Sequence, residues 1–152
     1  MTGWRAGFAL GPKPVIAAMA KLQSQSTSST ASFVQKAAIA ALRGSQECVG
    51  EMRADYLKLR DRILARLGEI PGITCTKPEG AFYVYPNVSR YLGKAGIPTA
   101  MELSKRLLHE AHVVTVPGEA FGTERHIRLS YATSHADVEE GLDRMKAFFA
   151  KL

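Results

Sequence analysis

The stretch His126-Ile-Arg-Leu-Ser-Tyr-Ala-Thr-Ser134 decides how the rest of the chain is read. It has a period of two. Ile127, Leu129 and Tyr131 fall on one face, and His126, Arg128, Ser130 and Ala132 on the other, the pattern of a half-buried β-strand. One guanidinium therefore stands among small and polar neighbours, opposite an apolar face. A planar fork so placed suits a carboxylate or a phosphate. Taken alone, the strand fits an arginine on a solvated face more readily than a clamp.

The segments around this strand read as helices and further strands. After it, Ser134 and Asp137 have the spacing of a helix cap, and Val138, Leu142, Met145 and Phe149 form the buried stripe of a final helix. Before it, Val113–Val116 reads as a strand and Pro117–Gly122 as a loop. Thr99 and Glu102 form a capping box for a helix carrying Leu103, Leu107 and Leu108. His109 and His112 in that region are three apart rather than four and lack a third ligand, so no metal site is expected. Further upstream, Ile73–Thr76 and the aromatic Ala81–Tyr85 are strand candidates on either side of the turn Lys77-Pro78-Glu79-Gly80.

From Phe33 to Leu67 the pattern is helical. One stripe runs through Phe33, Val34, Ala37, Ala38, Ala41 and Leu42, and a second through Val49, Met52, Tyr56, Leu59, Ile63 and Leu67. Gly44 and Ser45 separate the two and predict a break. Pro14 suits the first turn of an earlier helix with Val15, Ile16, Met19 and Leu22 on its apolar side. Gln23–Ser32 is rich in Ser and Thr and reads as a linker or loop. At the start, Trp4, Ala6, Phe8 and Leu10 share one parity, so the first eleven residues read as a strand.

The chain has 152 residues, of which 46% are hydrophobic and 22% charged, enough for a domain with a real core. The net charge is +6. Basic residues nevertheless alternate with acids, as in Arg53-Ala-Asp55 and Arg60-Asp61-Arg62, rather than cluster on the single face that a nucleic-acid partner requires. Small anionic substrates, or a merely solvated surface, account for the charge. Cys48 and Cys75 form no metal or redox motif, which fits a reducing cytoplasm. No apolar run approaches the ~18 residues of a membrane helix, so no membrane partner is expected. The N-terminus carries no charged-then-apolar secretory pattern.

Four strings, Met1-Thr-Gly-Trp-Arg5, Lys77-Pro-Glu-Gly-Ala-Phe-Tyr-Val-Tyr85, Val116-Pro-Gly-Glu-Ala-Phe-Gly122 and His126–Ser134, together resemble the class I (fold type I) pyridoxal-phosphate-dependent aminotransferases. They occur in the family's order and span essentially the whole chain. The resemblance implies an α/β fold and the C-terminal part of such an enzyme. Residues 1–32 would end the large cofactor-binding domain. Residues 33–68 would form a bridging helix broken near Gly44. Residues 69–152 would form the small domain, a short mixed or antiparallel sheet covered by helices. By the same resemblance Arg5 holds the phosphate of pyridoxal 5'-phosphate, Arg128 takes the substrate α-carboxylate, and Phe82 lines the substrate pocket. Gln23–Ser32 would be an ordered loop near the cofactor phosphate of an adjacent subunit.

The family's Schiff-base lysine, in Ser-Lys-x-x-Ala, is expected upstream of Met1. Lys13, Lys36 and Lys77 sit in no matching context, so no catalytic residue is assigned and the chain alone is expected to be inactive. The implied substrates are an amino acid and a 2-oxo acid, of the aspartate and 2-oxoglutarate type, and the implied state is a homodimer or higher self-association in the cytoplasm. Two other readings are a non-catalytic amino-acid or anion-binding module, and a basic nucleic-acid binder, which the scattered charges do not support.

Overall fold

The alternation at Ile127, Leu129 and Tyr131 forms the middle of a three-stranded sheet. The strands are β1 (Tyr83–Val84), β2 (Val116–Pro117) and β3 (Ile127–Ser130), in the order β1-β3-β2. Both pairings are antiparallel, with Tyr83 opposite Ser130 and Val116 opposite Arg128. Tyr131 N–H continues the ladder to the Phe82 carbonyl at 2.9 Å. This arrangement comes from a computed structural model that describes residues 2–152. The chain divides into two units, Met1–Cys48 and Val49–Leu152.

The second unit holds the sheet and the main core. Its helices are α3 (Glu47–Gly68, almost all within the unit), α4 (Ala100–Ala111) and α5 (His135–Phe149), numbered after α1 (Lys13–Ser26) and α2 (Ser32–Arg43) of the first unit. Leu59, Ile63 and Leu67 of α3, Leu103 and Leu107 of α4, and Val138, Leu142 and Met145 of α5 are buried with Ile127, Leu129 and Tyr131 in one cluster. Each fully buried aliphatic side chain there contributes about 1.5–3 kcal/mol. The expected caps are present. Thr99 Oγ1 accepts from Glu102 N–H at 3.2 Å and Ser134 Oγ from Asp137 N–H at 3.1 Å, satisfying donors that a helix start leaves orphaned. The helix with the histidine pair ends at Ala111, and His112 turns into the left-handed region at φ 55°. The two histidines therefore do not share a helix face.

Charged side chains tie α3 and Glu69, just beyond its end, to α5. Arg62 and Arg66 both pair with Glu139, Arg66 also pairs with Asp143, and Lys146 pairs with Glu69 at 2.6 Å.

The helical stripe does break at Gly44. Gly44 leaves the helix in extended backbone, Gln46 Nε2 donates to the Ala41 carbonyl at 2.9 Å, and Ser45 Oγ accepts from Glu47 N–H at 3.2 Å. The end of α2 and the start of α3 are thus satisfied by the intervening residues.

Four expectations need correction. The first residues are not a strand. A 3-10 turn covers Thr2–Trp4 and irregular chain follows to Pro12, with Met1 outside the described residues. Alternation makes a strand only where a second strand completes its hydrogen bonds, and the described residues of the first unit contain none. Gln23–Ser26 are helical rather than loop. Ser24 and Ser26 hydroxyls donate to the Lys21 and Leu22 carbonyls at 2.8 and 3.1 Å, so the polar side chains fold back onto α1. Ile73–Thr76 contributes only the bridge of Thr74 to Asn87. Val113–Val116 pairs only at its end, where β2 begins.

Candidate functional site

Arg128 is carried by β3 among Ile127 and Leu129, whose burial fixes the strand's rotation and hence where the arginine points. It is half-buried. Its guanidinium carbon lies 4.6 Å from the ring centroid of Phe121 and 5.2 Å from that of Tyr83, over the ring in each case. Tyr83 reaches it because it stands opposite Ser130, one diagonal step from Arg128 on the same face of the sheet. Phe121 reaches it from the 3-10 turn Gly118–Phe121 that follows β2. Arg128 makes no ion pair or side-chain hydrogen bond among the described residues, whereas Arg62, Arg66, Arg106 and Arg144 are all engaged by acids.

The turn carrying Phe121 is tightly built. A Cβ on Gly118 would lie 2.5 Å from the carbonyl oxygens of both His126 and Thr123, so only glycine fits. Gly122 closes the turn at φ 78°, a left-handed conformation that favours glycine. The Tyr85 hydroxyl lies 2.5 Å from the Thr123 hydroxyl and 3.3 Å from the Gly118 carbonyl oxygen, tethering both ends of the turn. The Tyr85 ring stacks on His126 at 4.8 Å and meets Phe121 edge-on at 6.0 Å. Glu119 Oε1 accepts from Met101 N–H at 3.0 Å and ties the turn to the start of α4.

Phe82 is not a core residue. It is 51% exposed, its carbonyl accepts from Tyr131 N–H, and its ring meets Tyr83 edge-on at 6.3 Å. Tyr83 and Phe121, which the sequence reading left without a role, are the rings recorded over Arg128. Both lie inside the strings that carried the resemblance, and that was the signal available for them. Arg5 belongs to the first unit. It is exposed in a turn at φ 53° and makes no ion pair among the described residues. Among the described residues no group of three or more His, Cys, Asp or Glu side chains converges, and no helix is long and apolar enough to cross a membrane.

Residues 1–145 match the family model for class I and II aminotransferases. An aspartate aminotransferase of Geobacillus stearothermophilus is 47% identical over 148 residues, covering 97% of this chain and 38% of that protein. One from Bacillus subtilis is 46% identical over 151 residues, covering 99% and 38%. Among solved structures, the aspartate aminotransferase of Rhizobium meliloti superposes with a TM-score of 0.92 at 42% identity, over 100% of this chain and 39% of that one. An aromatic aminotransferase of Pyrococcus horikoshii gives 0.90 at 37% identity, over 99% and 40%. The chain thus spans about 38% of the length of the relatives it matches. The small antiparallel sheet with its helices is part of the fold type I architecture, and the chain belongs to the class I and II aminotransferase family.

Proposed function

We propose that this chain is the carboxylate-gripping C-terminal part of a pyridoxal-phosphate-dependent aminotransferase. The parent enzyme moves an amino group between an amino acid and a 2-oxo acid, with aspartate and 2-oxoglutarate as the substrate pair. The observation that carries this is Arg128, a half-buried guanidinium beside two ring faces with no acid partner among the described residues. Its planar edge can take a carboxylate through two parallel hydrogen bonds. Holding the α-carboxylate that way orients the Cα–H bond and lowers the entropic part of the barrier. Phe82, exposed beside Tyr83, offers an apolar surface to the substrate side chain.

Arg5 is the chain's candidate for the cofactor phosphate. An exposed guanidinium without an acid partner among the described residues fits a phosphate ester, to which arginine binds bidentately. When bound, pyridoxal phosphate supplies the electron sink for the charge left as Cα loses its proton. No lysine here stands in a Ser-Lys-x-x-Ala context, and the amine that transfers the proton is assigned to none of them. Residues 1–32 then belong to the large domain, 33–68 bridge, and 69–152 form the small domain. The working state is a homodimer.

Inactivity of the chain alone is tested with pyridoxal phosphate and borohydride. Scattered, substoichiometric labelling of exposed lysines without turnover is expected. A stoichiometric adduct on one lysine, together with turnover, would overturn the assignment.

A further inference from the structure

Phe121 is an exposed large aromatic residue on a turn tethered by Tyr85 and Glu119. Core burial therefore does not account for it. Its ring instead covers the Arg128 guanidinium at 4.6 Å, closer than Tyr83 at 5.2 Å. The tethers all bear on where that ring sits. Gly118 admits no side chain, the Tyr85 hydroxyl spans from Gly118 to Thr123 on either side of Phe121, and Glu119 fastens the turn to α4.

We infer that Phe121 is a positioning residue, whose ring face sets the plane of the Arg128 guanidinium and leaves its N–H edge directed at an incoming carboxylate. A guanidinium has all five donors in its plane, so a ring against its face removes none of them. The ring attracts the cation and restricts rotation of a long side chain that would otherwise sample many orientations. The Val-Pro-Gly-x-Ala-Phe-Gly string then has a physical purpose. Its glycines shape the turn and its phenylalanine aims an arginine on another strand. This role rests on Arg128 binding a carboxylate.

The test uses the 152-residue chain labelled with nitrogen-15. Sodium propionate is titrated against a sodium chloride control of equal ionic strength, and the Arg128 Nε–H resonance is followed. The wild type is expected to show a saturable propionate-specific shift. Phe121→Leu should weaken binding by about two- to five-fold, the worth of one partly exposed cation–π contact, and Phe121→Tyr, which restores a ring face, should recover it. Arg128→Ala should abolish binding. If Phe121→Leu binds propionate as the wild type does while Arg128→Ala does not bind, the positioning role is wrong and carboxylate binding stands. If the wild type gives no propionate-specific shift, or Arg128→Ala binds equally well, carboxylate binding falls and the positioning role with it. A second measurement needs no ligand. The Arg128 δ-methylene protons should carry a ring-current shift that Phe121→Leu reduces to the share left by Tyr83 and that Phe121→Tyr keeps, and a shift that Phe121→Leu leaves unchanged overturns the positioning role directly.

Discussion

The tasks proposed for Arg128 and Arg5 are separate, and substitution should tell them apart in the full-length enzyme. Removing one partner of a buried, hydrogen-bonded charge pair costs roughly 2–5 kcal/mol, because the other charge is left unpaired. Arg128→Ala is therefore expected to lower kcat/KM by about two to three powers of ten or more, with cofactor retention nearly unchanged. Arg128→Lys should also be poor. An ammonium keeps the charge but lacks the planar fork for the carboxylate and the delocalised plane that can stack on the Phe121 and Tyr83 rings over which the guanidinium carbon lies. Arg5→Ala should show the opposite pattern, with faster cofactor dissociation as its first effect. Steady-state kinetics alongside cofactor dissociation decide between them, and an Arg128→Ala enzyme that loses cofactor but regains near-wild-type kcat/KM on resaturation would reverse the assignment. The side of β3 on which Arg128 lies was legible because alternation is a local property of adjacent residues. The rings around it were not, because Tyr83 meets Arg128 only through β1–β3 register and Phe121 only through the geometry of a turn.

At the level of elements, the contact of α3 with α5 joins apolar packing to an ionic ladder, and the two respond to different perturbations. Ile127 is fully buried in the apolar cluster shared by α3, β3 and α5, so Ile127→Ala is expected to cost about 2–5 kcal/mol in denaturant unfolding. The ladder responds to pH. The Arg62 guanidinium holds the Glu139 carboxyl below its ordinary value of 4.5, and Lys146 does the same for Glu69. A carboxyl lowered in the folded state releases its proton more readily there than in the unfolded chain. Its contribution is therefore full above about pH 4.5 and is lost as pH falls through the lowered folded value. Melting temperature should decline below pH 4.5, and less steeply in Glu139→Gln or at high salt, which screens exposed pairs. Equal acid slopes for Glu139→Gln and wild type would show the ladder to be neutral. None of these pairings could be read from the sequence, because each joins residues more than seventy positions apart. Element boundaries failed for a related reason. Trp4, Phe8 and Leu10 have strand parity but no strand partner among the described residues, and the serines of α1 were read as loop because composition does not reveal that their hydroxyls bond back to the helix. Caps were legible at Thr99 and Ser134 because donor and acceptor lie three residues apart.

For the whole molecule, the two units differ in how they treat apolar residues. Val49–Leu152 places most of its large aliphatics in a common cluster, whereas α1 buries no residue and α2 buries only Val34. Phe8 and Leu10 are 78% and 88% exposed, and Leu22, Phe33 and Leu42 are also exposed. Apolar surface in water costs roughly 25 cal/mol per Å² relative to its burial, and soluble monomers rarely leave such side chains grouped in the open. A stable association needs about 800 Å² from each partner, an area that several side chains of this size on two helices can supply. The isolated chain is therefore expected to self-associate at micromolar concentration and to sediment faster than a 16.5 kDa monomer. Leu22→Gln combined with Phe33→Gln should shift it toward monomer. Neither residue is buried, so far-UV circular dichroism should change little. A wild-type chain that remains a clean 16.5 kDa monomer across that range would show that these side chains are tolerated in water. A double variant that unfolds instead of dissociating would show that they hold the first unit together.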